Sequence, residues 1–391
     1  MSEIVIAGAK RTAIGSFLGQ FTGVPTPKLG AIAIKAALEQ SGIAPADVSE
    51  VIMGCVLPAN LGQAPARQAS LEAGLPVSAG CTTINKVCGS GMKALMLAHD
   101  LIKVGSAKVV VAGGMESMTN APHMVNARTG IRYGDGQLVD HMAWDGLTNP
   151  YDGQSMGVFG EKCADKYTFT REEQDAYAIA SVERAQAAQK ANAFANEIVP
   201  VTVQGRKGPQ DFAEDEQPGR SDTAKIPTLR AAFRKENGTI TAASSSSISD
   251  GAAALVLLDA DDAKARGITA LARIVAHATH SQEPEWFTTA PVGAISKVLE
   301  KAGWKAGDVD LFEINEAFAV VPMAVMRELG VPHEKINVNG GACALGHPIG
   351  ASGARIVVTL LNALTARGAK RGVAALCIGG GEATAIAIEL V

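Results

Sequence analysis

The chain contains two copies of one pattern, and this internal repeat limits the possible folds more than any other feature. Residues 36–48 read AALEQSGIAPADV, and residues 297–309 read KVLEKAGWKAGDV. Three positions match at a constant separation of 261 residues: Glu39 with Glu300, Gly42 with Gly303, and Asp47 with Asp308. Each copy is typical of a helix end, a glycine stop, a short loop and an apolar strand. The repeat therefore predicts two halves that are built alike.

A second matched pair extends the repeat toward both ends of the chain. Gly91 lies at the start of a helix-like run that leads to an apolar strand, and Gly353 starts an equivalent run 262 residues later. Strands that alternate with long helices indicate βαβ units and parallel sheets buried on both faces. Such sheets account for a charged fraction of only 19%, where about 25% is usual.

The residues between the two halves differ in composition, because proline, charged and aromatic residues increase there. We therefore expect an α/β fold in which two pseudo-symmetric βαβ-type halves pack together and carry an inserted loop domain. The predicted boundaries are 1–119 with 249–270 for the N-terminal half, 120–248 for the loop domain, and 271–391 for the C-terminal half. Within the loop domain, Thr170 and Glu173 predict a capping box at the start of a helix.

Charge and cysteine content exclude several classes of protein. The net charge of -4 gives no basic field for nucleic acid, and no apolar run approaches the roughly 20 residues that span a bilayer. The first residues lead directly into a strand-like run, so the cytoplasm is the expected compartment. The 6 cysteines lack C-x-x-C spacing, which predicts free thiols. His277 and His280 have the spacing of a metal pair but no third ligand nearby in sequence, so no metal site is expected.

Cys88 is the first candidate catalytic residue, in the segment NKVCGSGMKAL. A thiol between a strand and the N-terminus of a helix meets unpaired N–H groups, which stabilise a thiolate. The small neighbours would allow a carbonyl group to approach closely. The alternative is that Cys88 is a buried apolar residue, and the flanking Gly-Ser-Gly favours the catalytic interpretation.

Three further segments carry polar groups at strand or helix ends. His347, in GGACALGHPIGASGARI, can accept a thiol proton or donate to an oxyanion, although it can equally satisfy loop carbonyls. Cys377 precedes three glycines whose N–H groups suit an oxyanion hole or a phosphate. Asn315 and Glu316 follow an apolar run, at the strand end where α/β sheets bind ligands; Asn315 can also be a helix cap.

Together these segments resemble the thiolase family over the chain from Ile4 to its last residue. The motifs that carry the resemblance are NKVCGSGMKAL, VVVAGGMESM, NEAFA, NGGACALGHPIGASGARI and CIGGGEA. They are most similar to the short-chain members, the acetyl-CoA acetyltransferases. The resemblance implies reversible Claisen condensation of two acetyl-CoA molecules to acetoacetyl-CoA and CoA, by a ping-pong mechanism through acetyl-Cys88. The related ketoacyl synthases carry a histidine where this chain has Asn315.

The resemblance also implies a role for each catalytic candidate. Cys88 would carry the acetyl group after His347 accepts its proton, and Cys377 would remove a proton from the second acetyl-CoA. One oxyanion site would consist of the N–H groups of Cys88 and Gly379, and the other of His347 with a water held by Asn315. No permanently bound cofactor is implied, since CoA thioesters are the substrates.

The loop domain holds CoA in this family, and several residues match positions that line its site. Arg220 is the expected adenine or phosphate contact among the basic residues of this segment, which include Arg206 and Lys207. Five residues are expected to line the pantetheine tunnel: Leu147, Met156, Ala242, Ser246 and Phe318. Phe287 is expected to shape the acyl pocket. The chain departs from the family at Ser155, where a histidine is frequent, and at 244–249, where asparagines are common.

Two alternatives to acetyl-CoA acetyltransferase activity follow from the same motifs. One is a 3-ketoacyl-CoA thiolase of broader chain length in fatty-acid degradation, and the other is a non-catalytic carrier of acyl-CoA or lipid. The complete set of Cys88, Asn315, His347 and Cys377 is evidence against the carrier. The expected assembly is a homodimer or homotetramer, with a candidate tetramer contact at 125–140 and no nucleic acid or membrane partner.

Overall fold

The computed structural model describes residues 3–205 and 208–391, so Arg206 and Lys207 lie outside the described residues. The first part of the chain forms β1 (Ile4–Thr12), β2 (Gly15–Ser16), α1 (Thr26–Ser41), β3 (Glu50–Gly54), α2 (Pro65–Glu72), β4 (Gly80–Ile84), α3 (Ser90–Lys103) and β5 (Val109–Ser117). The middle part forms β6 (His123–Met124), β7 (Val139–Asp140), α4 (Met156–Tyr167), α5 (Arg171–Lys190), β8 (Ile198–Val199), β9 (Val201–Gly205) and β10 (Gly208–Phe212).

The chain then returns to the main sheet and builds the second half. These elements are β11 (Ser249–Asp259), α6 (Ala260–Ala265), β12 (Ala272–Ser281), α7 (Ala290–Ala302), β13 (Leu311–Ile314), α8 (Val320–Leu329), α9 (Ala342–Leu345), α10 (Ile349–Arg367), β14 (Arg371–Ile378) and β15 (Glu382–Leu390). The matched glycines of the repeat, Gly42 and Gly303, end α1 and α7 with the same φ of 69°. A side chain rarely adopts this left-handed conformation, which explains glycine at both positions.

The main sheet confirms the two pseudo-symmetric halves. Its strand order is β13-β14-β15-β12-β1-β11-β5-β3-β4. From the centre outward, β1-β11-β5-β3 in one half corresponds to β12-β15-β14-β13 in the other. The halves join where residues 4–6 of β1 pair with residues 272–274 of β12. The fold class predicted from the repeat is therefore correct, whereas the predicted domain boundaries remain a prediction.

The sheet is mixed, so the expectation of parallel sheets is only partly right. β3 pairs in parallel with β4 and β5, and β13 with β14. By contrast, β11 is antiparallel to β1 and β5, and β15 is antiparallel to β12 and β14. The reason is visible at β14, because only residues 379–381 connect it to β15, and so short a connection forms a hairpin rather than a crossover.

The predicted capping box is present at the start of α5: Thr170 Oγ1 accepts a hydrogen bond from Glu173 N, and Thr170 N donates to Glu173 Oε2.

The inserted segment is attached to the N-terminal half by strand pairing and by ion pairs. β8 pairs in parallel with β1. The buried Arg11 guanidinium of β1 is 2.6 Å from Glu197 and 2.7 Å from Asp215. This part of the chain therefore depends on the first half for its position.

Among the described residues, one helix, α10, is long and apolar enough to span a membrane by length and composition alone, but 83% of its apolar window is buried inside the protein. It packs against α3 and against both halves of the sheet, and its own Ile356 and Leu360 are buried in the core. Core helices of soluble proteins have the same properties. Its hydrophobicity is therefore accounted for by its central position.

Candidate active site

Cys88 lies on a tight turn between β4 and α3, and the turn is held by side chains. Val87 has a φ of 45°, a conformation that is strained for a β-branched residue by about 1–3 kcal/mol. Asn85 Oδ1 accepts a hydrogen bond from Val87 N at 2.8 Å. Ser90 Oγ accepts from Lys86 N at 2.8 Å and donates to Val87 O at 2.7 Å. The turn thereby presents the Cys88 side chain at the end of the strand.

The protein raises the pKa of the Cys88 thiol to about 11, chiefly because the sulfur is desolvated. The backbone N–H groups of Gly379 and Cys88 act in the opposite direction but are outweighed. The N–H groups at the helix N-terminus stabilise the thiolate, but desolvation exceeds their effect, so the Cys88 thiol is protonated in the unliganded protein. The nucleophile needs a base.

His347 has the geometry of that base. Its Nδ1 is 2.6 Å from Ser352 Oγ, and the Ser352 hydroxyl donates to Pro348 O at 2.9 Å. Since the hydroxyl hydrogen points to Pro348, Ser352 accepts from Nδ1–H, and Nε2 carries the lone pair. Burial, followed by the positive charge of Arg355, lowers the pKa of His347 to about 3. The imidazole is thus neutral at physiological pH.

Asn315 lies beside His347 at the end of β13. Its Nδ2 is 3.4 Å from His347 Nε2, and its backbone N donates to Ala375 O at 3.0 Å. The side chain is fully buried, and its Oδ1 has no hydrogen-bond partner among the described residues. Buried polar atoms are normally paired, so Oδ1 is an acceptor site suited to a water or a substrate group.

Glu316 holds the turn that carries Asn315. The Glu316 carboxylate is fully buried and accepts hydrogen bonds from three side chains and one backbone group: Tyr177 Oη, Ser181 Oγ, Asn337 Nδ2 and Cys343 N. Two of these donors come from α5 of the inserted segment. The inserted segment therefore helps to fix the position of Asn315 in the C-terminal half.

Cys377 is the next-to-last residue of β14 and is 1% exposed. Burial raises its pKa well above the ordinary value, and the charge of an ionised Cys88 raises it further. This electrostatic coupling means that the two thiols are close enough for one thiolate to disfavour the other. Cys377 also leads directly to Gly379, whose N–H interacts with the Cys88 sulfur. Both cysteines therefore belong to one site.

The repeat itself brings the nucleophile and the base together. α3 begins after Cys88 and α10 begins after His347, and the two helices cross at Gly91 and Gly353. A Cβ on Gly353 would be 2.4 Å from Met92 N, and one on Gly91 would be 2.8 Å from Ala354 N. Only glycine permits this approach. The close crossing places the two helix N-termini, and the residues before them, at the same point.

A cavity of about 590 Å³ adjoins this point and is lined by His347. All five residues expected in the pantetheine tunnel line it: Leu147, Met156, Ala242, Ser246 and Phe318. Ser155, Ser245 and Ser247 line it as well, so the serines that depart from the family pattern face the same space. This volume lies within the range of small-molecule sites, about 300–1,000 Å³.

Two expected binding residues do not line the cavity. Phe287 is 3% exposed and packs behind the wall, with its ring 6.5 Å from the ring of Phe318. It therefore adjoins the cavity through Phe318, which does line it. The Arg220 side chain is 58% exposed and forms an ion pair with Glu216. Arg220 lies three residues after Gln217, which does line the cavity.

Sequence reasoning missed Glu116 and Ser352. Glu116 Oε2 accepts from Val56 N and Gly350 N, both at 2.9 Å, and Oε1 accepts from Leu57 N at 3.1 Å. Burial outweighs these bonds and raises the pKa of Glu116 to about 7. A single glutamate at the end of the apolar strand VVVAGGMES was the available signal. Ser352 gave none beyond its place in the repeat.

Comparison with known proteins agrees with this geometry. The fold and site define a two-half α/β enzyme with paired cysteines at strand ends. The model "Thiolase, N-terminal domain" matches residues 4–261, and "Thiolase, C-terminal domain" matches residues 268–390. The chain belongs to the thiolase family.

Relatives match over their full lengths. "Acetyl-CoA acetyltransferase 2" of Arabidopsis thaliana is 52% identical over 99% of this chain and 97% of its own. "Acetyl-CoA acetyltransferase" of Cupriavidus necator is 50% identical over 100% of both chains. The crystal structure of Acat5 thiolase from Ascaris suum in complex with coenzyme A has a TM-score of 0.95, with 44% identity and complete coverage of both chains.

Proposed function

We propose that the chain is an acetyl-CoA C-acetyltransferase, which reversibly converts two acetyl-CoA molecules to acetoacetyl-CoA and CoA. The observation that carries the proposal is the meeting of two thiols with an imidazole whose Nε2 is unprotonated, next to a cavity of about 590 Å³. The names of relatives at 50–52% identity support the acetyl substrate.

In the first half-reaction, His347 Nε2 takes the proton of Cys88. The thiolate attacks the thioester carbonyl, and the N–H groups of Cys88 and Gly379 stabilise the oxyanion. The bond from the carbonyl carbon to the CoA sulfur then breaks. CoA leaves as the thiol with the proton of Cys377, which leaves acetyl-Cys88, a Cys377 thiolate and a protonated His347. Proton transfer is essential here because the Cys88 thiol is protonated at neutral pH.

In the second half-reaction, Cys377 acts as the base. It removes a proton from the α-carbon of a second acetyl-CoA, whose enolate oxygen is stabilised by His347 and by a water on the unpaired Oδ1 of Asn315. The carbanion attacks acetyl-Cys88, the new carbon–carbon bond forms, and the bond to the Cys88 sulfur breaks. Acetoacetyl-CoA leaves, and the thiolate of Cys88 takes up the proton from His347, so that both thiols and the imidazole return to their resting state.

We propose that the cavity holds the pantetheine arm of CoA. The apolar lining of the cavity suits the methylene groups of the arm, and the serine hydroxyls suit its amides. Arg220 remains the proposed contact for the phosphates or adenine. Arg220 is exposed and follows Gln217 of the cavity wall by three residues, and its partner Glu216 would compete with an anion. Arg220→Ala should raise the KM for CoA about 2–5-fold with little change in kcat, the size expected for an exposed pair.

Cysteine variants test the separate roles of Cys88 as the nucleophile and Cys377 as the base. Cys88→Ala should abolish both cleavage of acetoacetyl-CoA and formation of the acetyl-enzyme from radiolabelled acetyl-CoA. Cys377→Ala should still form the acetyl-enzyme but lose condensation. Cys81→Ala, a half-buried thiol on β4, is the matched control and should keep activity. Cleavage that persists in Cys88→Ala would refute the proposal and would leave the carrier alternative unsupported as well.

A kinetic panel in both directions tests the acyl specificity. Thiolysis measured with 3-ketoacyl-CoA substrates of increasing chain length should be fastest with acetoacetyl-CoA. Rates that increase beyond six carbons would instead favour the broader 3-ketoacyl-CoA thiolase. An inactive protein that binds acyl-CoA would favour the carrier.

We propose a homodimer or homotetramer, and two surfaces support it. β4 is the last strand of the main sheet and its backbone edge is free on one side. Segment 125–144 exposes several large apolar side chains: Val125, Ile131, Tyr133, Leu138 and Trp144. Light scattering during size-exclusion chromatography should give two or four times the chain mass.

We also propose a reducing compartment such as the cytoplasm, which the six free thiols support.

A further inference from the structure

Two histidines and a carboxylate meet outside the catalytic site. His99 and Asp100 lie near the end of α3, and His277 lies on β12 of the other half. His277 Nε2 is 2.9 Å from Asp100 Oδ1 and 3.2 Å from His99 Nδ1. His99 Nδ1 is 2.9 Å from the same Asp100 oxygen. These neighbours of His277 come from a distant part of the chain, so the sequence around His277 and His280 does not reveal them.

The neighbouring histidine of the sequence pair does not take part. His280 Nε2 contacts Gln282 Oε1 at 3.1 Å instead. Three potential ligand atoms from His99, Asp100 and His277 lie within 4.8 Å of one another. The sequence motif of two nearby histidines was thus misleading, and tertiary contact selects a different set.

The spacing of these three atoms matches one face of a metal tetrahedron. A zinc ion with bonds of about 2.0–2.2 Å to nitrogen and oxygen separates neighbouring ligand atoms by about 3.3 Å. The observed separations are 2.9, 2.9 and 3.2 Å. An ion about 1 Å above the plane of the three atoms would reach all of them at normal bond lengths.

The three atoms can be held together by protons or by a cation. With a hydrogen on both facing nitrogens, each N–H donates to Asp100 Oδ1 at 2.9 Å; without these hydrogens, three lone pairs face one another. A cation satisfies all three lone pairs at once.

The surroundings suit a bound ion that remains open to water. The side chains of His99 and His277 are 12% and 15% exposed, whereas Asp100 is 54% exposed. The two rings are held edge to face, with centroids 4.9 Å apart. Solvent can therefore reach the free coordination positions. Lys301 Nζ donates to His277 O at 3.0 Å, and its charge would moderate the affinity.

We propose that His99, Asp100 and His277 form a binding site for a divalent transition-metal ion, with zinc as the probe. Two imidazole nitrogens favour zinc, cobalt, nickel or copper over magnesium or calcium. His99 follows the start of α3 by nine residues, which is about 14 Å along a helix. The ion therefore has a structural role, because it links α3 of one half to β12 of the other.

Zinc titration of the full-length protein, followed by calorimetry and by thermal unfolding, tests this site. Wild type should bind one ion per chain and unfold at a higher temperature with zinc. His277→Gln and Asp100→Asn should bind at least tenfold more weakly and lose the temperature shift; Asp100→Asn keeps the side-chain shape. His123→Gln, an exposed histidine of β6, is the control and should behave like wild type. Without metal, all variants should keep thiolytic activity.

Binding to the catalytic thiols is the competing explanation, and cobalt distinguishes it. Cobalt held by histidine and carboxylate lacks the intense thiolate-to-metal bands that cysteine ligation produces. The proposal is overturned if both variants bind zinc as tightly as wild type, or if the cobalt complex shows thiolate bands that disappear in Cys88→Ala. The proposal is supported if zinc no longer increases the unfolding temperature of His277→Gln and Asp100→Asn but still increases that of His123→Gln.

Discussion

At the scale of the residue, the site is governed by where its protons lie. The Cys88 thiol and the His347 imidazole are both neutral at rest, since the pKa of Cys88 is raised to about 11 and that of His347 is lowered to about 3. Ionising the pair costs free energy that a bound substrate must offset through its interactions. The unliganded enzyme therefore keeps its nucleophile protonated until a thioester is present.

Alkylation of Cys88 should reveal this raised pKa. With iodoacetamide, the labelling rate of Cys88, followed by peptide mass spectrometry, should increase about tenfold per pH unit from pH 7 to pH 10, because only the thiolate reacts. A small thiol with a pKa of about 8.5 should level off above pH 9. Acetyl-CoA should protect Cys88 at every pH. A rate that is already constant at pH 7 would show that the thiolate exists at rest.

Ser352 should control the rate without controlling binding. It holds the Nδ1–H of His347 and is fully buried. Ser352→Ala removes this acceptor, so the tautomer with a free Nε2 is no longer favoured, and kcat should decrease about 10- to 100-fold. The KM for acetoacetyl-CoA should stay within about twofold. Ser296→Ala, on the exposed face of α7, is the control; an unchanged kcat in Ser352→Ala would contradict the assignment.

At the scale of the element, the crossing of α3 and α10 decides whether the site forms. Gly114 of β5 adds to this packing, since a Cβ there would be 2.0 Å from Gly350 O. Glu116 then joins the strand end to the N-terminus of α10 through Gly350 N. The helices and the strand meet backbone to backbone, so the site is held by close packing of small residues rather than by large side chains.

Gly353→Ala should therefore be costly. The new methyl group would be 2.4 Å from Met92 N, which is backbone and cannot move aside. We expect the free energy of unfolding to decrease by about 2–3 kcal/mol in urea titration, together with a loss of activity as Cys88 and His347 separate. Gly307→Ala, where nothing lies within 4 Å, should change stability little. Equal stabilities for the two variants would argue against a tight crossing.

At the scale of the whole molecule, the inserted segment is connected to the core by a buried charge network. Asp215 accepts hydrogen bonds from Arg11 at 2.7 and 2.9 Å and from Ile14 N at 2.8 Å. Glu197 pairs with the same guanidinium. Neither carboxylate lies near Arg11 in sequence, so the network joins two separate parts of the chain.

Removal of one partner should weaken the whole molecule. Asp215→Ala leaves Arg11 with an incomplete set of buried partners, which typically costs about 3–5 kcal/mol. Urea unfolding should report that loss, and limited proteolysis should cut the segment 198–248 faster. Glu39→Ala disrupts only the exposed pair with Lys35 at 4.0 Å, and should cost less than about 1 kcal/mol. Similar losses in both variants would show that the buried network contributes little.

The sequence alone was sufficient to predict the fold class and to identify the candidate catalytic residues. The repeat predicted two like halves, since a duplicated helix–glycine–strand pattern can bury its apolar faces only in like units. The motifs around Cys88, His347, Asn315 and Cys377 identified the catalytic candidates because short-range signals, such as glycines at strand ends, constrain the local backbone. The same local character explains why the expectation of parallel sheets is only partly right, because strand direction depends on connections.

What only the tertiary structure decided is which groups meet and how they ionise. Desolvation of the Cys88 sulfur and of His347 depends on everything packed around them, so the direction of their pKa shifts was not predictable from neighbours in sequence. The partners of His347 and Asn315, and the role of Glu116, required the crossing of α3 and α10. The cluster of His99, Asp100 and His277 likewise exists only in the folded chain, because 177 residues separate Asp100 from His277 and folding alone brings them within bonding distance.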